Sequence, residues 1–319
     1  MSSLIEQAAK RLEQLRQAGV DVPRTVPGTQ NVAPAPQELE APKPVEAPAQ
    51  PAAAAVEPVA AHAVSRRVDI DLQALSAMGI GVPGASRSQI ADQYRVIKRP
   101  LIKNAMGKGA SVIANGNLIM VTSALPGEGK TFTSINLALS IAAELDNTVL
   151  LVDADVARPS LMRMLGLPTG SPGLLDLVQD DSLDMASVLL STNVEKLSIL
   201  PSGTPHPRAT ELLASDAMVK LLEEVAARYP DRIIVFDSPP LLITTESRVL
   251  ATHMGQIVMV VSAGKTLQAD VKRALSTIEA CPVKLLLLNR SSSLFKGGYG
   301  YGYGYEGGYG YGYGQEKAA

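Results

Sequence analysis

Residues 118–137 read LIMVTSALPGEGKTFTSINL and place a glycine-rich turn between an apolar run and a helical pattern. The run before the turn predicts a buried strand, and the apolar spacing after it predicts a helix. Gly127 and Gly129 let successive backbone N–H groups turn toward one anion, and the start of the helix adds its positive dipole end. A glycine turn in this strand–helix context predicts a phosphate-binding loop.

The side chains of the turn ALPGEGKT (124–131) indicate which phosphate compound is bound. Lys130 is placed to reach the β- and γ-phosphates of a nucleotide, and the Thr131 hydroxyl is placed to ligate Mg²⁺. Ala124 replaces the glycine that usually opens such loops, which is a small change at the edge of the turn. The sequence therefore predicts ATP or GTP with Mg²⁺. The predicted nucleotide contacts in this segment are Pro126, Gly127, Glu128, Gly129, Lys130, Thr131 and Phe132.

Two further apolar runs end in carboxylates. TVLLVDADVARPSL (148–161) carries Asp153 and Asp155 just past a strand, and RIIVFDSPP (232–240) carries Asp237 past another. The carboxyl ends of parallel strands meet at one edge of a sheet, which is where such folds bind ligands. Acids buried there are costly unless a cation or a reacting proton needs them. We therefore expect these carboxylates beside the phosphate loop.

The rest of the chain from residue 88 alternates helical patterns with continuous Val/Ile/Leu runs. Continuous runs predict strands that are covered on both faces. Strands alternating with helices predict an α/β fold with a doubly wound, mostly parallel sheet. The predicted organisation is an amphipathic helix at 1–20, a Pro/Ala-rich and mostly disordered linker at 21–87, the nucleotide-binding domain at 88–295, and a disordered Gly/Tyr-rich tail at 296–319.

Composition narrows the function classes. The formal net charge is −2, which gives no reason to expect nucleic acid or anionic lipid as a partner. The single cysteine, Cys281, lies in an apolar stretch and predicts a small buried side chain in a reducing cytoplasm. No apolar run approaches the roughly 18 residues that span a bilayer. Work at a membrane would require recruitment by another protein.

Seven of the nine tyrosines lie at 299–313, in YGYGYGYEGGYGYGY. Glycine at nearly every second position makes a packed structure unfavourable. The segment is interpreted either as a flexible row of phosphate acceptors or as a sticky, aromatic stacking segment. Which interpretation holds depends on whether the domain transfers phosphate to tyrosine.

Together these motifs resemble those of the bacterial tyrosine kinases (BY-kinases), and more narrowly the stand-alone tyrosine autokinases linked to exosortase-type polysaccharide loci. The resemblance covers residues 88–319 and the N-terminal segment. ALPGEGKT corresponds to Walker A, LLVDADVARP to Walker A′ and IIVFDSPP to Walker B. The family's Walker A′ is D-x-D-x-R, whereas this chain reads D-A-D-V-A-R, so that Arg158 arrives one position late.

The resemblance implies phosphoryl transfer from MgATP to tyrosine. It implies catalytic roles for Lys130, Asp153, Asp155 and Asp237, a metal site at Thr131, Asp153 and Asp237, and further nucleotide contacts at Arg158 and Asn289. Asp153 is the candidate base, but its role is interchangeable with that of Asp155. The implied acceptors are Tyr299, Tyr301, Tyr303, Tyr305, Tyr309, Tyr311 and Tyr313, phosphorylated in trans by a neighbouring subunit.

The resemblance also implies partners. DQYRVIK (92–98) stands where the family carries an E-x-x-R-x-x-R helix, so Asp92, Arg95 and Lys98 are candidate contacts between subunits of a ring; the alternative is an ordinary solvated helix face. Phosphorylation of the tail is expected to loosen that ring. A cytoplasmic segment of a membrane chain-length regulator is the implied activator, and it would recruit the protein to the inner membrane.

An ATPase switch of the chromosome-partitioning or division-site type is the alternative function. Such proteins usually carry a second lysine early in the loop, where this chain has Leu125, and they lack tyrosine-rich tails. A eukaryotic-type protein kinase is not supported, because neither the H-R-D nor the D-F-G signature is present.

Overall fold

A computed structural model of the chain describes residues 66–84, 88–228 and 231–291. The predicted N-terminal helix at 1–20, most of the predicted linker and the seven tail tyrosines lie outside the described residues. Within the described ranges, no helix is both long enough and apolar enough to cross a membrane.

The described residues form one eight-stranded sheet with helices on both faces. Its strands lie in the order β1-β4-β5-β3-β6-β2-β7-β8, and each neighbouring pair is parallel except β4 with β5. This confirms the predicted doubly wound, mostly parallel α/β sheet. The strands are β1 (Arg66–Val68), β2 (Leu118–Ser123), β3 (Thr148–Asp153), β4 (Leu190–Thr192), β5 (Leu197–Leu200), β6 (Arg232–Asp237), β7 (Gln256–Ser262) and β8 (Val283–Asn289).

The helices divide between the two faces of the sheet. One face carries α1 (Leu72–Ala77), α2 (Gln89–Ala105), α3 (Lys130–Ala142) and α4 (Leu161–Met164). The other face carries α5 (Leu174–Gln179), α6 (Met185–Val188), α7 (Ala209–Leu213), α8 (Asp216–Arg228), α9 (Glu246–Ala251) and α10 (Gln268–Ser276).

Strand β2 shows why the apolar runs are continuous. Leu118 and Met120 point into the core on one face, whereas Ile119 and Val121 point into the core on the other. All six residues of β2 are buried, because helices cover both faces of the sheet at its centre. Strand β2 lies between β6 and β7, so the phosphate-binding loop that follows it starts near the middle of the sheet.

The folded domain begins before residue 88, within the predicted linker. Strand β1 pairs with β4, and the helix α1 is capped by Asp71, whose carboxylate accepts from two backbone N–H groups. Ile70, Leu75 and Ile80 are each at most 3% exposed and join the core on the α2–α3 face. The linker prediction extended too far because three spaced apolar residues are a weak signal beside a long Pro/Ala-rich stretch.

Helix α2 is the predicted helix at the start of the domain, and it packs on α3. Lys98 is only 3% exposed: its ammonium group lies 2.6 Å from the Glu144 carboxylate and also donates to the Ser140 carbonyl. Asp92 and Arg95 instead form an exposed pair with each other. The assignment of Lys98 to a contact between subunits does not fit this placement, because its charge is used inside the domain.

Candidate active site

The loop between β2 and α3 has the curvature that an anion site requires. Gly127 and Gly129 have φ angles of 77° and 99°, in the region that only glycine adopts without strain. Lys130 is the first residue of α3, so the helix begins directly at the loop. The first-turn N–H groups of a helix lack internal partners and attract negative charge. The predicted phosphate cradle is therefore present in the backbone.

Two carboxylates lie side by side at the edge of the sheet next to this loop. Asp153 ends β3 and Asp237 ends β6, and the two residues are register partners in the parallel pairing of these strands. Each is at most 1% exposed. Leu161 N–H donates to Asp153 Oδ2 at 3.3 Å, and the Ser134 hydroxyl donates to Asp237 Oδ1 at 2.9 Å. The sequence therefore correctly predicts that the strand ends bring acids together.

The electrostatics of the pair are unfavourable for two negative charges. Burial raises the pKa of Asp153 to about 8, and the nearby Asp237 carboxylate adds to the rise. Burial also raises the pKa of Asp237 to about 6, although hydroxyl groups of Thr131 and Ser134 and the Lys130 ammonium oppose it. Near neutral pH the pair therefore holds about one proton between its two members.

The pair fits a divalent cation. The second oxygens, Asp153 Oδ1 and Asp237 Oδ2, are buried and have no hydrogen-bond partner among the described residues. Buried acceptors are normally paired, and a hard cation takes oxygen ligands of this kind. Thr131 is the second residue of α3, and its hydroxyl lies 2.9 Å from the Ser160 hydroxyl. Thr131, Asp153 and Asp237 are thus the residues that would hold Mg²⁺.

Asp155 and Arg158 belong to the turn that follows β3. Asp155 is half-buried, and its Oδ1 accepts from the Arg158 backbone N–H at 3.1 Å. The pKa of Asp155 is raised overall because the carboxyl is partly buried, although this N–H group and the Lys130 ammonium act in the opposite direction. Arg158 is exposed, so its side chain is accessible from solvent at the rim of the turn.

Three residues predicted to contact the nucleotide have side chains engaged elsewhere. Glu128 is buried, and its carboxylate accepts from the Leu125 N–H at 2.7 Å. Asn289 donates to the Glu128 carbonyl at 2.9 Å. Phe132 packs against the core on the α2–α3 face. These side chains support the loop in this structure, and a nucleotide contact of Glu128 would come from its backbone.

Sequence reasoning missed several hydroxyl groups around the site. Ser134 bonds Asp237, Ser160 bonds Thr131, and Thr266 donates to the Glu128 carboxylate. Ser134 lies one helical turn beyond Lys130, so its position on α3 was a signal that could have found it. Thr266 is far from the loop in sequence and gave no such signal. Cys281, in contrast, is buried as predicted.

A comparison with protein-family models shows the broad class of protein to which the chain belongs. Residues 115–294 match the ParA family model, described as NUBPL iron-transfer P-loop NTPase. This match covers more than half of the chain and agrees with the loop, the parallel sheet and the acids at the strand ends. The chain is therefore a P-loop NTPase of the ParA type.

Closer relatives identify the family within this class. The chain is 32% identical over 217 residues to tyrosine-protein kinase YwqD of Bacillus subtilis (strain 168), covering 67% of this chain and 87% of the relative. It superposes on the crystal structure of the VpsO kinase domain with a TM-score of 0.53 at 27% identity, covering 63% of this chain and 96% of that one. The chain belongs to the bacterial tyrosine kinases.

Some relatives are much longer. Tyrosine-protein kinase wzc of Salmonella typhimurium (strain LT2) is 30% identical over 199 residues, which is 61% of this chain but only 27% of the relative. The similarity is thus to one part of that protein. The YwqD match, in contrast, spans 87% of its relative.

Proposed function

We propose that this protein is an ATP- and Mg²⁺-dependent tyrosine autokinase that phosphorylates the tyrosine cluster of its own C-terminal tail. The observation that carries the proposal is the register-matched acid pair, Asp153 and Asp237, beside a Walker A loop in a member of the bacterial tyrosine kinases. A phosphoryl-transfer site needs a phosphate cradle, a cation and a group that accepts the hydroxyl proton.

The residues take separate roles in this reaction. Lys130 and the loop amides hold and orient the phosphates, and bound Mg²⁺ would neutralise charge on them. Thr131 and Asp237 are positioned to bind the cation, with Asp155 beside them. Asp153, the third residue that would hold the cation, is also proposed to accept the phenol proton, because a bound cation would keep its carboxylate ionised at neutral pH despite the raised pKa of the metal-free site.

The tail is the proposed acceptor because of its composition. Seven phenols, most of them separated by glycine, lie at 299–313, and the first comes ten residues after the end of β8. A glycine-rich random coil of about 25 residues has a root-mean-square span of roughly 25–30 Å, and we propose that the tail reaches a neighbouring active site in this way. Each phosphate adds about −1.5 to −2 charges at neutral pH, and several would repel one another and the acidic site.

Assembly and location follow as further parts of the proposal. We propose a ring-type homo-oligomer in which tails are phosphorylated in trans and which loosens as phosphate accumulates. Of the predicted contact residues, Asp92 and Arg95 remain accessible for such an assembly. We further propose a cytoplasmic protein that a membrane chain-length regulator recruits and activates, with control of exopolysaccharide synthesis as the outcome.

The direct test is phosphotyrosine mapping. In one experiment the purified chain is incubated with ATP and Mg²⁺; in the other the protein is isolated from cells of its native host. In both, the tail peptides are analysed by mass spectrometry. Phosphate on the tail tyrosines in the wild type, lost in Lys130→Met but kept in the surface control Lys108→Met, supports the proposal. A variant with all seven tail tyrosines changed to phenylalanine should lose the signal while still binding nucleotide.

The alternative ATPase switch predicts a different result. It would hydrolyse ATP with no phosphate on any tyrosine, including in the native host where an activating partner is present. That outcome would overturn the autokinase assignment while leaving the nucleotide site intact.

A further inference from the structure

The phosphate-binding loop is held from behind by a side chain that the proposed reaction does not use. Glu128 occupies the middle of the loop, yet it is only 3% exposed. Its side chain turns back under the loop instead of toward solvent. A buried carboxylate is expensive unless every acceptor position is satisfied, so its partners indicate what it does.

The Glu128 carboxylate bridges two parts of the fold. One oxygen, Oε2, accepts from the Leu125 N–H at 2.7 Å, at the start of the same loop. The other, Oε1, accepts from the N–H of Ser262, the last residue of β7, at 3.3 Å, and from the hydroxyl of Thr266 in the turn that leads to α10. All three partners are donors, so the Glu128 carboxylate acts here only as an acceptor.

Thr266 has its direction fixed by a second hydrogen bond. Its Oγ1 accepts from the Ser262 N–H at 3.1 Å, which leaves the hydroxyl proton for the Glu128 carboxylate. Two consecutive hydrogen bonds, from Ser262 to Thr266 and from Thr266 to Glu128, therefore connect the end of β7 to the phosphate-binding loop. The hydrogen bond from Thr266 to Glu128 is partly buried, and there water competes with it less than at the surface.

A second contact with the loop comes from Asn289, the last residue of β8. The Asn289 amide donates to the Glu128 carbonyl at 2.9 Å, and its Oδ1 accepts from the Arg290 N–H at 2.8 Å. A Cβ on Gly129 would lie 2.2 Å from Asn289 Nδ2, so the loop and this side chain are in close contact. The backbone of 128–129 is thus held by both β7 and β8.

We propose that Glu128 and Thr266 are positioning residues that tie the curvature of the phosphate-binding loop to the turn between β7 and α10. Their side chains bond to each other and to the loop backbone, and so hold the loop amides in the arrangement that receives a phosphate. A loop ordered in advance spends less of its binding energy on ordering, so loosening it weakens nucleotide affinity. The inference rests on the proposed function only in that a nucleotide occupies the loop.

The test measures MgADP binding to the full chain by calorimetry, which does not depend on what accepts the phosphate. Thr266→Val keeps the shape and removes the donor, and we expect its affinity to fall about five- to twentyfold. Thr266→Ser restores the hydroxyl and should bind within about twofold of the wild type. The matched control is Thr277→Val at the C-terminal end of α10, where the hydroxyl donates to the local Ala274 carbonyl, and its affinity should not change.

A double-mutant cycle tests the pairing itself. Glu128→Gln puts an NH₂ group against a donor at one end of the bridge, so it should weaken binding at least as much as Thr266→Val. If the two residues act on the loop as one unit, the double variant is no weaker than Glu128→Gln alone. Thermal unfolding without nucleotide shows whether any loss of affinity follows from general destabilisation.

The outcomes separate this inference from the proposed function. Thr266→Val that binds MgADP like the wild type, or a deficit that Thr266→Ser fails to repair, overturns the positioning role while the kinase proposal stands. Additive losses in the cycle also contradict the pairing. A wild-type chain that binds no MgADP would remove the nucleotide site and both proposals with it.

Discussion

Asp153 and Asp237 are register partners on adjacent parallel strands, and both are buried at the edge of the sheet that carries the phosphate-binding loop. Two like charges in this position repel each other and have lost most of their hydration. The fold maintains this arrangement although it costs stability. Such a cost is typical of functional sites, where strain is accepted because a ligand relieves it.

The first prediction concerns the pH dependence of stability. The pKa of Asp153 rises from 3.8 to about 8 in the folded chain, so the folded state binds this proton more tightly than the unfolded state does. The free energy of unfolding contributed by this group is therefore greatest at low pH and is lost as pH rises from about 4 to 8. Asp153→Asn removes that loss and should be more stable than the wild type at pH 8, on the order of 2 kcal/mol.

Urea denaturation in a chelating buffer at several pH values measures this difference. The two proteins should converge near pH 4, where the wild-type carboxyl is protonated. The exposed Asp146, changed to asparagine, serves as control and should follow the wild type at every pH. A stability gap that is constant with pH would contradict the shifted pKa.

The second prediction concerns Gly129. An alanine there meets both a φ of 99° and the Asn289 amide, whereas Gly170→Ala meets a φ of 84° in open space. Gly129→Ala should therefore be less stable than Gly170→Ala by about 1–3 kcal/mol and should lose nucleotide binding. Adding Asn289→Ala removes the clash and should recover part of the stability. Equal costs at the two glycines would show that the loop can move away from Asn289.

The third prediction compares a partly buried ion pair with an exposed one. The buried Lys98 pairs with Glu144, whose side chain is 34% exposed, whereas Arg95 and Asp92 are both exposed. Lys98→Met should lower the free energy of unfolding by about 1–3 kcal/mol at pH 7. Arg95→Met should lower it by less than about 0.5 kcal/mol.

Acid should reduce the first of these effects. The hydrogen bond from Lys98 lowers the pKa of Glu144, so the stabilisation is present above the ordinary carboxyl pKa and is lost as pH falls through the lowered value. Chemical denaturation at pH 7 and pH 3 measures it. A Lys98→Met deficit that is as large at pH 3 as at pH 7 would show that packing of the lysine stem, not the charge, is responsible.

The fourth prediction concerns the hydroxyl that holds Asp237. Ser134→Ala removes the donor at 2.9 Å and leaves a second buried carboxylate oxygen without a partner. We expect a loss of about 1–3 kcal/mol of stability in the metal-free protein. Ser276→Ala, whose exposed hydroxyl bonds only the Arg273 carbonyl, should change stability little. If the two variants unfold alike, the Asp237 carboxylate is satisfied without Ser134.

Sequence reasoning succeeded where the information is local. The loop follows from the spacing of Gly127, Gly129 and Lys130, and the acid pair follows from two apolar runs that each end in aspartate. It failed where the information is long-range. The contact of Glu128 with Thr266 joins residues 138 positions apart, and only the folded sheet brings them together.

The predictions for Lys98 and for the region of β1 were wrong for related reasons. Lysine is normally exposed, and the burial of Lys98 depends on Glu144, a partner that periodicity within α2 cannot indicate. The strand Arg66–Val68 is three residues long and carries two arginines, so it lacks the apolar run by which strands are recognised. Its pairing with β4 comes from tertiary structure alone.

The hydrogen bond between Asn289 and the Glu128 carbonyl spans 161 positions of the chain. During translation, the loop leaves the ribosome long before the strand that braces it has been synthesised. A nascent chain consequently completes its nucleotide pocket only when β8, the final strand of the described domain, has emerged and docked. Premature termination anywhere upstream of that asparagine would release a polypeptide with a Walker motif but without its last brace.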